Sequence, residues 1–358
     1  MIKSQRLADW CSFHLFYHGD LSKVLQGFVR PTIGRLLAKE LSDNFFFIRY
    51  LLGGPHVRLR IHTRNDCVER AREILLESAV AFLDRCPSIT SLDQDKLREQ
   101  NRSITAGDPI EREETVYPDN TFLEFPFTPE IERYGGLNLL DHSLNFFALS
   151  SVMALHFVAT QSEASKARQL SAICRLLVLQ AWGFAEDEQE FLTLLASRAG
   201  FSTPEDPFLV RGDEVFEKRR DVYHSLLREQ VTTVLSQGSW FADAAHRLSR
   251  EIRPAGTVGR LSIGLSQMHM TANRLGLKNQ EEIYLGRLLW RAARDLASTD
   301  SGFRDSMRDE FRRRAASEPQ SGERLRDLLD PIFRETFTDS LTQILPTLER
   351  GIPEAHES

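Results

Sequence analysis

Asn44-Phe-Phe-Phe-Ile-Arg-Tyr-Leu-Leu-Gly-Gly-Pro-His-Val-Arg-Leu-Arg-Ile-His62 decides how the rest of the chain is placed. Its second half alternates strictly: Val57, Leu59 and Ile61 are apolar, while His56, Arg58, Arg60 and His62 fall between them. Successive side chains of a strand point to opposite faces, so one face joins a core and the other carries four basic groups. Its first half, Asn44 to Leu52, reads as a strand that is aromatic and apolar on both faces. Gly53-Gly54-Pro55 is a turn signal, and two strands joined so closely form a hairpin. Arg58 and Arg60 would stand about 7 Å apart along one strand. Guanidinium forks at that spacing suit a ligand carrying carboxylates. A solvated sheet face with local ion pairs is the plainer reading of the same pattern.

Outward from the hairpin, the first third alternates strand and helix. Trp10 to His18 has strand-like aromatic content and ends at Gly19-Asp20, where Asp20 can cap a helix. Leu21, Val24, Leu25, Phe28 and Val29 recur at helical spacing, and Pro31 is expected to kink or restart that helix before Ile33 to Leu41. A helix from Cys67 to Asp84 should bury Val68, Ala71, Ile74, Leu75, Ala79 and Phe82. Residues 87–119 are polar and aperiodic, an inserted loop. Thr121 to Phe127 resumes as a strand that Pro126 confines to an edge or a terminus. Beyond Leu137 the pattern is helical, with breaks near Ser162, Phe184, Gly200 to Pro207, Gly238 and Pro254 to Gly256. The fold class is therefore α+β: an N-terminal mixed sheet with a hairpin and packed helices, followed by a mostly helical C-terminal half. The expected division is a domain over 1–300, carrying the 87–119 loop, and a charged helical extension over 301–358 whose charges form a solvated face.

Bulk properties exclude several functions. The 358 residues carry a formal charge of −6, which argues against a general electrostatic grip on nucleic acid. Four cysteines, none in a CxxC, give neither a disulfide framework nor metal-type spacing, and no metal is expected. The first ten residues lack the signal-peptide pattern, and the most apolar run, Phe146 to Ala159, is short for a membrane span. A cytoplasmic location without membrane contact is the expectation.

Two further segments could carry chemistry. In Pro129-Glu-Ile-Glu-Arg-Tyr-Gly-Gly136, Pro129 can open a helical turn in which Glu130 and Arg133 lie three apart on one side. A local ion pair explains that spacing equally well. In Leu261 to Gly276, the expected core stripe of a helix is Leu261, Leu265, Met268, Ala272 and Leu275. His269 sits at the stripe's edge, where a half-buried imidazole can serve as a general acid or base. A lone histidine in such a place is more often structural. Asn273 could orient it or cap a loop, and Gly276 suits the helix end.

Taken together, the Trp10 strand, Phe46-Phe-Ile-Arg-Tyr50, Gly54-Pro-His-Val-Arg-Leu-Arg60, Pro129 to Gly136, and Met268-His-Met270 with Asn273-Arg-Leu275 resemble the C-terminal, glutamate-eliminating domain of lantibiotic dehydratases. That domain also occurs as stand-alone proteins of thiopeptide-type bacteriocin biosynthesis. The resemblance covers residues 8 to 297. It implies that a partner first esterifies serine or threonine of a precursor peptide with glutamate from glutamyl-tRNA. This chain would then remove glutamate by β-elimination, leaving dehydroalanine or dehydrobutyrine. Matched motif by motif, the family's functional residues fall on Arg58, Arg60, Glu130, Arg133 and His269. Arg49, His56, Tyr134, Asn273 and Arg274, within the same motifs, are assigned to substrate binding. Thr271 stands where relatives often carry a second histidine.

These residue types fit the chemistry. His269 would take the α-proton, and Arg58, Arg60 and Arg133 would cradle the glutamyl carboxylates and the enolate. Glu130 would position an arginine or the histidine. No cofactor is implied. The implied partners are the ribosomally made precursor peptide and a separate tRNA-dependent glutamylating dehydratase subunit. Two alternatives are a [4+2] pyridine synthase, which joins two dehydroalanines in the same family fold, and a non-catalytic scaffold that binds the precursor peptide.

Overall fold

The structure is a computed structural model that describes residues 9–64, 67–93, 95–99, 115–161, 163–316 and 324–337. The chain divides into two compact units, Met1–Glu130 with Ser150–Ser162, and Ile131–Leu149 with Glu163–Ser358.

The first unit is built on a four-stranded sheet of order β2-β3-β1-β4. Its strands are β1 (Trp10–Phe16), β2 (Ser42–Tyr50), β3 (His56–Thr63) and β4 (Thr121–Phe125). The expected hairpin forms, β2 pairing with β3 so that Phe46 faces Arg60 and Ile48 faces Arg58. Every pairing is antiparallel. The alternation in β3 sorts as its sequence dictates. Val57, Leu59 and Ile61 are buried with Cys11, Phe13, Leu15, Phe45 and Phe47 on one face. Helices cover that face: Phe28 meets Phe122 at 5.7 Å and Phe82 at 6.4 Å, and the Phe47 N–H donates to Ser151 Oγ at 3.2 Å.

Asp20 caps α1 (Leu21–Val24), its carboxylate accepting from the Ser22 N–H at 2.9 Å. The restart expected at Pro31 takes a different form. A π turn over Leu25–Val29 leads directly into α2 (Arg30–Ala38), and the Arg30 N–H bonds Leu25 O, five residues back. The wide turn comes just ahead of the proline, which has no N–H to offer the preceding turn. Helix α3 (Val68–Arg85) buries Ala71, Ile74, Leu75, Ala79 and Phe82; Val68, in its first turn, is only half-buried. Strand β4 lies at the sheet edge and stops one residue before Pro126, as a residue without an N–H requires. Of the 87–119 loop, residues 94 and 100–114 fall outside the described residues. Its ends are tied, Ser88 N–H donating to Asn120 Oδ1 at 2.7 Å and Asn120 Nδ2 to Ser88 O at 2.9 Å.

The second unit is helical. It comprises a 3₁₀ turn (Glu132–Tyr134), the first part of α4 (Leu137–Gln161), and α5 (Lys166–Phe184), α6 (Glu188–Ala196), α7 (Pro207–Gln237), α8 (Trp240–Glu251), α9 (Gly256–Arg274), α10 (Asn279–Thr299), α11 (Ser301–Ala316) and α12 (Leu329–Phe337). The expected breaks fall at these helix ends, Ser162 itself lying outside the described residues. Helix α4 is long and apolar enough to cross a membrane by length and composition, yet 89% of its apolar window is buried within the structure. The charged face of α11 is solvated only in part. Phe303, Met307, Glu310 and Phe311 are buried, and the Glu310 carboxylate takes Arg313 and Arg314 while Arg314 donates to Trp182 O at 2.8 Å.

Close helix packing here depends on Gly183. A Cβ at that position would lie 2.0 Å from the Ala242 carbonyl oxygen, which belongs to α8. Gly183→Ala must therefore push α5 and α8 apart. It should cost about 1–3 kcal/mol in urea-induced unfolding, and an unchanged midpoint would show that the two backbones are not held at this distance.

Candidate active site

On the arginine face of the sheet, Arg58 is fixed from two sides. Its guanidinium lies 3.5 Å over the Tyr50 ring, and its Nε donates to His56 Nε2 at 3.1 Å. His56 is 1% exposed and its Nδ1 is 2.8 Å from Gly54 O. A carbonyl can only accept, so Nδ1 carries the proton and Nε2 holds the lone pair that Arg58 needs. Burial pushes His56 down to about 3, and the neighbouring Arg58 and Arg60 charges add to the effect. Both ring nitrogens of His56 are thus spent on the hairpin, and its place is behind Arg58 rather than against a ligand. His14 stacks on His56 at 5.0 Å and is likewise held well below the usual histidine range, chiefly by burial.

Arg60 is flanked by Phe46 at 5.9 Å and Phe127 at 6.0 Å, with Trp10 closing the aromatic cluster. Arg49 does not join them. It pairs with Val57 in the β2–β3 register, lies on the opposite face, and donates to Ser22 Oγ at 3.4 Å. A one-residue offset within a strand reverses the face.

The Glu130 to Gly136 segment forms its turn later than Pro129 suggests. The 3₁₀ turn spans Glu132–Tyr134, after which Gly135 and Gly136 take φ of 80° and 87° and the Gly136 N–H bonds Ile131 O at 2.9 Å. Glu130, exposed, precedes the turn and is the last residue of the first unit's main segment. Tyr134 turns inward: its OH is 3.0 Å from Ser266 Oγ and its ring is edge-on to Phe147 at 5.2 Å.

Arg133, the next residue back, lines a cavity of about 230 Å³ together with Ser197, Phe201, Ser262, Leu265, Ser266 and His269. His269 is half-buried there, with Nδ1 2.7 Å from Glu282 Oε2. Glu282 is 3% exposed, and its other oxygen accepts from Ser197 Oγ at 3.0 Å. The tight turn after α9 makes this possible: the N–H groups of Leu277 and Gly276 bond the Ala272 and Asn273 carbonyls, bringing the first turn of α10 back beside α9. Asn273 thus caps the helix end through its carbonyl, and a carboxylate from the next helix orients the histidine.

The buried side of α9 differs from the expected stripe. Met268, Ala272 and Leu275 are buried, but so are Ile263, Ser266, Gln267, Thr271 and Arg274, while Leu261 and Leu265 are only half-buried and Leu265 faces the cavity. The packed face includes polar residues with inward partners, which an apolar stripe cannot reveal. Arg274 is fully buried, its guanidinium 4.6 Å from the Phe147 ring, and burial pushes it down to about 9. It is a core cation rather than a cavity wall. Glu282 and Ser197 gave no sequence signal, since an acid in a helix's first turn is ordinary dipole chemistry and Ser197, which ends α6 and opens a 3₁₀ turn over Ser197–Phe201, belongs to no motif.

An α+β chain with a stacked arginine strand in one unit and an imidazole–carboxylate pair at an arginine-lined cavity in the other is the class that the fold and these sites define. Residues 10–293 match the family described as "Lantibiotic biosynthesis dehydratase C-term", and the chain belongs to that family. No curated protein matches it by sequence. Among solved structures, the fold is similar to the pyridine synthase TbtD from thiomuracin biosynthesis, with TM-score 0.64 and 18% identity over 81% of this chain and 99% of that one. It is similar to TsrL with TM-score 0.56 and 15% identity over 84% of this chain and 98% of that one. The tRNA-dependent lantibiotic dehydratase MibB from Microbispora sp. 107891 shares the fold with TM-score 0.51 and 19% identity over 81% of this chain and 28% of MibB.

Proposed function

We propose that the chain is a lyase that eliminates glutamate from glutamylated serine or threonine of a ribosomally made peptide. The observation that carries this reading is the His269–Glu282 pair beside Arg133 in a small cavity. Elimination needs a base for the α-proton and a cation for the enolate that forms. With Nδ1 bound to Glu282, His269 has Nε2 left to accept that proton, and Arg133 is the cation at hand. As the Cβ–O bond breaks, glutamate departs as a carboxylate and the Cα–Cβ double bond forms. Arg58 and Arg60 of the first unit are assigned to carboxylate recognition on the strength of their stacked, pre-set guanidinium groups. The histidine's carboxylate partner is Glu282, so Glu130 is not needed for that task. The glutamylated peptide would come from a separate tRNA-dependent glutamylating subunit.

A second reading is a [4+2] pyridine synthase, favoured by the match to 99% of the stand-alone synthase TbtD. One assay separates them. Purified protein is given either a glutamylated peptide or a peptide already carrying dehydroalanines, and products are read by mass spectrometry. Loss of glutamate supports the lyase; cyclisation of the second substrate alone supports the synthase. Binding without change to either would leave a scaffold.

Arg58→Lys tests carboxylate recognition. A lysine cannot both stack on Tyr50 and present a planar fork, so kcat/KM for the glutamylated peptide should fall about 10- to 100-fold. Arg49→Lys, across the sheet, should stay within about twofold. Equal losses in the two variants would mean that the arginine face has no special part.

A further inference from the structure

Ser197 has φ 40° and ψ −124°, a conformation that a residue with a side chain seldom adopts. Unusual backbone of this kind persists only where its surroundings hold it. Here the holding contacts converge on His269. Ser197 ends α6, its N–H bonding the Thr193 and Leu194 carbonyls, and its hydroxyl points at Glu282. Gly286 lies four residues after Glu282, on the same side of α10. A Cβ on Gly286 would lie 2.5 Å from Ala196 O. The missing side chain lets the end of α6 approach α10 closely enough for the Ser197 hydroxyl to reach the carboxylate.

An ionised carboxylate accepts only, so Ser197 O–H and His269 Nδ1–H must both donate to Glu282. One oxygen is committed to each. The carboxylate cannot rotate without losing a bond, and the imidazole is left with its lone pair on Nε2. We propose that Glu282, clamped by Ser197 against the Gly286 notch, is a positioning residue: it fixes the tautomer of His269 and balances the imidazolium formed when Nε2 takes the substrate α-proton. This inference rests on the lyase reading and adds to it α10 and the turn at Ser197, which act on the reaction through His269. The proton stays on the imidazole until it passes to solvent, and glutamate leaves with the electron pair of the broken Cβ–O bond, so the step balances without a co-reactant.

The test uses the full chain with a glutamylated peptide. Glu282→Gln should lower kcat about 100-fold with KM within about threefold, because the neutral amide no longer compensates the imidazolium. Ser197→Ala should lower kcat about tenfold by the same route, and Gly286→Ala should resemble it. A purely structural role would move kcat, KM and thermal unfolding together. The second readout is independent of activity: nitrogen-15 spectra of the histidine rings in the wild type should show His269 with the proton on Nδ1, and in Glu282→Gln a changed tautomer mixture. If Glu282→Gln keeps the wild-type kcat while His269→Asn is inactive, the inference fails and the lyase reading stands. If His269→Asn is fully active, the lyase reading fails. A wild-type ring protonated on Nε2 overturns the inference in either case, and loss of folding in Glu282→Gln leaves that spectrum and Ser197→Ala to decide.

Discussion

His269→Asn is expected to abolish turnover of a glutamylated peptide, with kcat lowered about 10²- to 10⁴-fold, the range that a positioned general base contributes. Asparagine keeps a polar group near the position of Nδ1 and can still bond Glu282, so the buried carboxylate is not stranded. The loss can then be read as loss of the base rather than of folding. Mass spectrometry should find the intact glutamyl adduct where the wild type yields the dehydrated product. The KM should change little, since the imidazole acts on the α-proton and not on the carboxylates that anchor the ligand. Accumulation of dehydrated product at the wild-type rate would remove His269 from the reaction altogether.

Acid should weaken the first unit steeply, and the direction follows from its buried imidazoles. His56 is pushed down to about 3, and His14, stacked between His56 and Phe125, is also held far below the usual histidine range. In the unfolded chain both titrate near 6.5. Between those limits the unfolded state binds protons that the folded state refuses, so stability is fully present above about pH 6.5 and falls as pH drops towards 3. Each histidine contributes about 1.4 kcal/mol per pH unit, or close to 3 kcal/mol at pH 4.5. Two such terms rival the roughly 5–15 kcal/mol that holds a whole domain together. His14→Phe is the sharper test. Its Nε2 has no hydrogen-bond partner among the described residues, and its ring already lies 4.2 Å from Phe125. The phenyl replacement should roughly halve the acid slope in urea-unfolding curves from pH 7 to 4.5. A slope equal to the wild type would mean that His14 takes up its proton without cost.

The hairpin was legible because period-two alternation, a Gly-Gly-Pro turn and aromatic strands all favour one register, and the helix breaks were legible because Gly and Pro mark them. The two arginines were legible because Arg58 and Arg60 stand two apart on the basic face. Arg49 misled, since its proximity in sequence says nothing about the face it takes once β2 pairs. The stripe of α9 was only half read: Gln267, Ser266 and Arg274 are buried through tertiary partners that no periodicity announces. The carboxylate behind His269 was invisible for the same reason. Glu282 reaches it because the chain reverses at Gly276, and neither the distance nor the Ser197 contact has a local signature.

The reciprocal bonds between Ser88 and Asn120 act as a buckle at the root of the long insertion. Because closing a loop grows costlier by only about 0.6 kcal/mol per doubling of its length, lengthening the insertion costs little so long as Tyr117 and Asp119 are kept: the Tyr117 N–H bonds Gly53 O and its ring stacks on Phe16 at 4.4 Å, and Asp119 accepts from the His18 N–H. A short affinity tag or fluorescent reporter spliced there would ride on the first unit as cargo, with the buckle, not the cargo, setting how the strands beneath it are held.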